Sequence, residues 1–170
     1  MEPLIIEKER LLLVGFSFFG DPFATSGDWE EENEIGRLWS RFMAYMERRG
    51  KEIAPLLHAP GVGYELHITH AETPAKGHYE VFVGVEAVSL DGLPVDLLVK
   101  VLPPTQYAVF TLKGEEITGD WTRTIYREWL PASGYQEAYP YMFERYDERF
   151  KGMEHLTTSE IEVHVPVKPQ

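Results

Sequence analysis

The chain of 170 residues contains no cysteine. Disulfides, thiolate catalysis and Cys-ligated zinc are thereby excluded. Basic residues are scarce: 16 Lys and Arg stand against 28 Asp and Glu, a formal net charge of −12. Direct binding to nucleic-acid phosphates needs clustered cations, so no nucleic-acid partner is expected. The apolar run "LLLVGFSFF" at residues 11–19 is too short to cross a bilayer, which takes roughly 20 residues. It follows a mixed-charge segment and lacks a small-residue cleavage pattern, so it reads as a buried strand rather than a signal peptide. The expected location is the cytoplasm, with no membrane partner. Phosphate-cradling glycine loops, dinucleotide fingerprints and a His-Glu-x-x-His pair are also missing. Ser133, in "LPASGY", lacks the strand–turn–helix frame of a nucleophile elbow.

Six histidines are present: His58, His67, His70, His78, His155 and His164. His67 and His70 fall on opposite faces of a regular strand, and most of the six read as surface residues. Neither a metal nor another cofactor is expected.

What the chain does have is enough apolar substance for a core, 44% hydrophobic and 13% aromatic residues. Strands are expected over 10–18, 64–70, 78–88, 106–114, 141–147 and 160–167, from short apolar runs and period-2 alternation. Segment 97–102 stays ambiguous before Pro103 and Pro104. One helix is expected over about 29–49, with Asp28 as N-cap, Glu31 three residues on, and Gly50 as its stop. A second is expected over about 119–130, capped by Thr118 or Asp120 and stopped by Pro131. The order is strand–helix–strand–strand, twice. This pattern predicts one α+β domain over 1–170, built from two antiparallel modules of one helix each, about 1–102 and 103–170. A pseudo-twofold would relate them and leave a central ligand groove.

The segment "YPYMFERYDERF", residues 139–150, sets Glu144 among five aromatic residues. On a regular strand Met142, Glu144 and Tyr146 share one face. A carboxylate, a phenol and a thioether suit a flat lipophilic cation, through charge, cation–π attraction and adaptable shape. The alternative is a solvent-facing Glu paired with a neighbouring base. Trp129, before Pro131, and the strand aromatics Tyr64, Phe82, Tyr107 and Phe110 are further candidates for lining such a site. For these, and for Trp39 and Trp121 on the helices, core packing is the competing role.

"IYREWLPASGY" (125–135), "YMFERYDERF" and "SEIEVHVPVK" (159–168) resemble the second half of the GyrI-like family. "YEVFVGVEA" (79–87) and "YAVFTLKG" (107–114) resemble its middle strands. These are the effector-binding domains found behind AraC-type and MerR-type DNA-binding regions, and also alone. The resemblance implies the paired-module fold. It also implies a groove whose base carries a fifth-strand Glu that contacts cationic aromatic drugs, a position Glu144 matches. With no DNA-binding extension in this sequence, the stand-alone form is expected. The expected ligand set is Glu144, Tyr146, Met142, Trp129, Phe110, Phe82, Tyr64 and Trp39. Some relatives hydrolyse strained-ring alkylating compounds. In such an enzyme Glu144 would handle water, and Tyr107 or Tyr146 would bond the leaving oxygen. Others are linked to gyrase inhibition, which leaves open an acidic protein-interaction module.

Overall fold

The computed structural model describes residues 2–24 and 33–170. In chain order the elements are β1 (Leu4–Lys8), β2 (Leu11–Gly20), α1 (Glu34–Ile53), β3 (Gly63–Ile68), the single turn α2 (Thr73–Lys76), β4 (Tyr79–Glu86), β5 (Leu98–Leu102), β6 (Thr105–Lys113), α3 (Trp121–Arg123), a π-helical turn over Thr124–Trp129, α4 (Leu130–Ala132), β7 (Tyr135–Glu137), β8 (Tyr141–Tyr146) and β9 (Glu160–Pro169). They fall into two compact units. The N-terminal unit is Leu11–Leu102; the C-terminal unit joins Met1–Arg10 to Pro103–Gln170. The sequence reading gave all of 1–102 to the first module. Strand β1 instead pairs antiparallel with β6, Leu4 opposite Val109 and Lys8 opposite Thr105, which carries the first ten residues into the C-terminal unit.

In the N-terminal unit the strands run β5-β2-β4-β3, each pair antiparallel. The ambiguous segment 97–102 thus supplies the edge strand β5. Phe16 lies opposite Val83, and Val83 lies opposite Glu65. Helix α1 covers this face: Leu38, Phe42, Tyr45 and Ile53 pack on Val14, Phe16, Val81, Val83 and Val85. The phenylalanine and tyrosine rings meet edge-on, Phe16 to Phe42 at 6.2 Å and Phe16 to Tyr45 at 5.4 Å between centroids. On the reverse face Gly15 lies opposite Gly84. A Cβ on either would come within 1.9 Å or 2.2 Å of a carbonyl oxygen of the other strand, so only glycine permits this approach.

The helix runs through Gly50 to Ile53 rather than stopping there. Ile53 is fully buried and anchors the last turn, and Pro55 follows in a 3-10 turn. The helix begins at Glu34, where the Asn33 side chain accepts a hydrogen bond from Gly36 N at 2.8 Å. Asp28 and Glu31, the expected capping pair, lie outside the described residues. Asn33→Ala is expected to lower stability by about 1 kcal/mol, read as the midpoint shift in urea, with helix content otherwise kept.

In the C-terminal unit the strands run β1-β6-β9-β8, again antiparallel, and β7 adds to β9. Phe110 lies opposite Val163, and Val163 opposite Glu144. Ile117, Trp121 and Ile125 pack on Ala108, Phe110, Leu112, Ile161, Val163 and Val165 from the helical side. Asp120 is the N-cap, accepting from Arg123 N. Helical structure continues past Pro131 to Ala132. Proline removes an N–H donor and crowds the preceding turn; the wider π turn directly before it, closed by Leu130 N–H on Ile125 O, accommodates the ring.

The fold is therefore mixed α+β, with every named strand pair antiparallel. In both units the first strand of the repeat is flanked by its third strand and by an added edge strand, β5 or β1. Among the described residues no helix is long and apolar enough to cross a membrane.

Candidate functional site

Strand β8 is regular, so its side chains alternate across the sheet. Phe143 lies opposite His164, and Arg145 opposite Glu162. Glu144 therefore points to the face that carries Phe110 and Val163, the face the helical segment covers. Its exposure is 0%. The Tyr146 hydroxyl donates to Glu144 Oε2 in a short hydrogen bond. The solvent-facing alternative is thus overturned. Arg145, the base that alternative would pair with Glu144, points the other way and bonds Asp147 and Glu162.

Around this carboxylate the same face presents aromatic and thioether groups. Met142 is buried in the core with Phe110. The Phe110 ring meets Trp129 edge-on at 5.1 Å, and Trp129 stacks on Tyr135 at 6.3 Å and 15°. Tyr146 meets Phe150 edge-on at 5.0 Å. Trp129 closes the π turn, so the turn sets where this indole lies on the sheet. Burial raises the Tyr126 phenol above its ordinary value, as it does the Glu137 carboxyl.

Tyr107 does not join this group. It lies on the opposite face, fully buried, with its ring edge-on to Phe143 at 5.4 Å and its hydroxyl 2.9 Å from that of Tyr141. Burial first, then the Tyr141 hydroxyl, push its phenol far above the ordinary value. A proton donor partnering Glu144 from Tyr107 is not what this geometry offers, because the sheet itself separates them.

His164 is also on the Tyr107 face, stacked on Phe143 at 4.5 Å and 13° and only 1% exposed. It is the buried exception among the six histidines; His58, His70 and His155 are exposed, and His67 and His78 half-buried. Burial pushes the imidazole down to about 4. Its Nε2 lies 3.1 Å from Glu162 Oε2. That carboxylate, with Asp147, belongs to a network with Arg145 and Arg149. The hydrogen bond to Arg149 holds the Asp147 carboxyl far below its usual range.

In the N-terminal unit the three remaining candidates separate. Phe82 lies opposite Ser17 and Leu66, and Tyr64 opposite Gly84, so both occupy the reverse face. Phe82 and Tyr64 are buried, and the Tyr64 hydroxyl bonds Glu86 at 3.1 Å. Trp39 is on α1, on the covered face, where its indole Nε1 donates to Glu65 Oε2 at 2.6 Å.

Glu65 is a residue the sequence reading passed over. It is 2% exposed, and its other oxygen, Oε1, lies 2.7 Å from His67 Nε2. Its place repeats that of Glu144: Glu65–Val83–Phe16 across one sheet, Glu144–Val163–Phe110 across the other. Each acid has a hydrogen-bonding ring two residues on, His67 or Tyr146. The signal was in the sequence as Glu-x-His and Glu-x-Tyr in the second strand of each repeat. Within the N-terminal unit Glu65 and His67 have metal-ligand chemistry, and they are already bonded to each other.

Comparison with known proteins bears on this arrangement. The family described as integron-associated effector binding protein matches residues 4–167. The transcriptional regulator BrlR of Pseudomonas aeruginosa is 30% identical over 169 residues, which are 98% of this chain and 56% of BrlR. The chain thus spans about half the length of that regulator. Among solved structures, SAV2435 bound to tetraphenylphosphonium superposes with a TM-score of 0.63 at 17% identity, covering 99% of this chain and 94% of that one. The integron cassette protein VCH_CASS2 of Vibrio cholerae gives 0.60 at 19% identity, covering 98% and 96%. At such identities the structures speak for the fold, and the family match covers nearly the whole sequence. The chain belongs to the integron-associated effector binding proteins, a GyrI-like effector-binding family.

Proposed function

We propose that this protein binds small lipophilic aromatic cations and that Glu144 of the C-terminal unit is the anionic anchor. The observation that carries the reading is a fully buried carboxylate on a face furnished with Tyr146, Met142, Phe110 and Trp129. A carboxylate sheltered from water attracts a cation several times more strongly than one in bulk solvent. Aromatic faces attract cations as well, by about 0.5–2 kcal/mol each. Tyr146 orients the acid, while Met142 offers a polarizable, adaptable wall. The structural relative SAV2435 holds tetraphenylphosphonium, a cation of this class. Trp39, Tyr64 and Phe82 belong to the N-terminal unit.

The test is a fluorescence or calorimetric titration with tetraphenylphosphonium and, separately, with uncharged triphenylphosphine oxide. The cation is expected to bind saturably and at least tenfold more tightly than the oxide. Equal affinity for the two would remove the charge role.

A further inference from the structure

We infer that the ligands of the C-terminal unit are dications: a lipophilic charge held by Glu144, and a second charge that donates hydrogen bonds, an ammonium or amidinium, held by Glu137 and Tyr126. This rests on the reading of Glu144 as an anionic anchor and narrows the ligand class of that same site. Its residues all lie within Pro103–Gln170.

Three observations carry it. The first is alignment. Glu137 lies opposite Val167 on β9, and Glu144 lies opposite Val163 on the same strand. Val163 and Val167 are an even number of residues apart, so both acids point to the face that the helical segment covers. Four residues of strand separate the two rows, roughly 13 Å. The second is what joins them. Phe110, in the Glu144 row, meets Trp129 edge-on at 5.1 Å, and Trp129 stacks on Tyr135 at 6.3 Å. Tyr135 is two residues before Glu137 on β7 and shares its face. A chain of rings thus leads from one carboxylate toward the other, and an apolar linker can lie along it. The third is unused bonding capacity at the outer end. Glu137 is exposed, and among the described residues no base pairs with it. The packing beside it still raises its carboxyl above the ordinary value. Its charge also acts on the Tyr126 phenol, whose hydroxyl has no hydrogen bond among the described residues. A cation bearing N–H groups would serve both oxygens, through charge-assisted hydrogen bonds to the carboxylate and a further one to the phenol. A quaternary centre has no such proton to give, so the outer end selects a different kind of charge from the inner one.

The experiment is calorimetric titration at one ionic strength with three triphenylphosphonium cations, carrying an aminooctyl, a hydroxyoctyl or an aminopropyl chain. An eight-carbon chain can cover the distance between the two rows; a three-carbon chain cannot. The proteins are the parent, Glu137→Gln and Glu144→Gln. The parent is expected to bind the aminooctyl compound about fivefold or more tightly than either of the others. In Glu137→Gln the aminooctyl and hydroxyoctyl affinities should come within about twofold of each other. No preference for the aminooctyl compound over the hydroxyoctyl one in the parent overturns the proposal. So does a preference that persists in Glu137→Gln. An aminopropyl compound bound as tightly as the aminooctyl one overturns it as well, since the net charge of −12 would then attract any dication. The chain-length comparison needs no variant and decides even if Glu137→Gln does not fold. Failure of the Glu144 reading looks different: the hydroxyoctyl compound, which has no second charge, would bind the parent and Glu144→Gln alike. If none of the three binds the parent, both readings fall.

Discussion

Glu144→Gln is expected to weaken tetraphenylphosphonium binding about 30- to 100-fold, a loss of 2–3 kcal/mol. Glutamine keeps the size of the side chain and still offers an oxygen to the Tyr146 hydroxyl, so the packing around Met142 and Phe110 is retained. What it removes is the net charge, and a buried charge acts through a medium of low effective dielectric. Affinity for triphenylphosphine oxide should therefore stay within about threefold of the parent's. Tyr146→Phe is the companion change. It removes the hydroxyl that orients the acid but keeps the aromatic face, so the loss should be nearer 3- to 10-fold. Calorimetric titration of the three proteins at one ionic strength checks the ordering. Equal losses in Glu144→Gln and Tyr146→Phe would assign the effect to the hydrogen bond between the two side chains rather than to charge. An unchanged affinity in Glu144→Gln would end the role given to the acid.

The parity of Met142, Glu144 and Tyr146 was legible because strand alternation is local: one residue's face fixes its neighbours'. The same holds for Val81, Val83 and Val85 against Phe82 and Gly84. What was illegible depends on pairings distant in sequence. Strand β1 is five residues long and gains its partner more than 90 residues later, from β6. Strand β5 is an edge with Leu98, Val99 and Val101 exposed, so no alternation marks it. The helix cap was ambiguous in the sequence for another reason. Asp28 and Asn33 are both good caps, and the acidic run between them does not choose. Glu65 was overlooked because a glutamate in a strand reads by default as solvated; only the cross-strand row through Val83 to Phe16 shows it buried. Tyr107 was grouped with Glu144 because the relative phase of two strands cannot be read from either strand alone. The β6–β9–β8 register places them on opposite faces.

That reverse face carries the other large expected effect. Buried His164 should make the protein lose stability as pH falls from about 7 toward 4, by about 3 kcal/mol from this group. The sign follows from which state takes the proton. The folded imidazole titrates at about 4, against 6.5 for the free side chain. Below pH 6.5 the unfolded chain binds a proton that the folded chain refuses, so unfolding gains. The refusal has a structural cause. With Nε2 donating to Glu162, Nδ1 is a buried atom that has no hydrogen-bond partner among the described residues. Protonation would place an N–H there with nothing to receive it, between the rings of Phe143 and Tyr107. Asp147 and Glu162 are held below their ordinary values, so their losses fall at lower pH, below about 4.5. In the interval from 6.5 to 4.5 the Glu137 carboxyl, raised by burial, contributes with the opposite sign but alike in parent and variant, so the difference between a protein with and without His164 isolates the histidine. His164→Phe keeps the stack on Phe143 and removes the titrating group. Urea unfolding of both proteins across this interval should give a falling free energy for the parent and a slope flatter by 2–3 kcal/mol for the variant. Parallel curves would mean that the imidazole takes its proton in the folded state as readily as in water, and that the space around Nδ1 admits a partner.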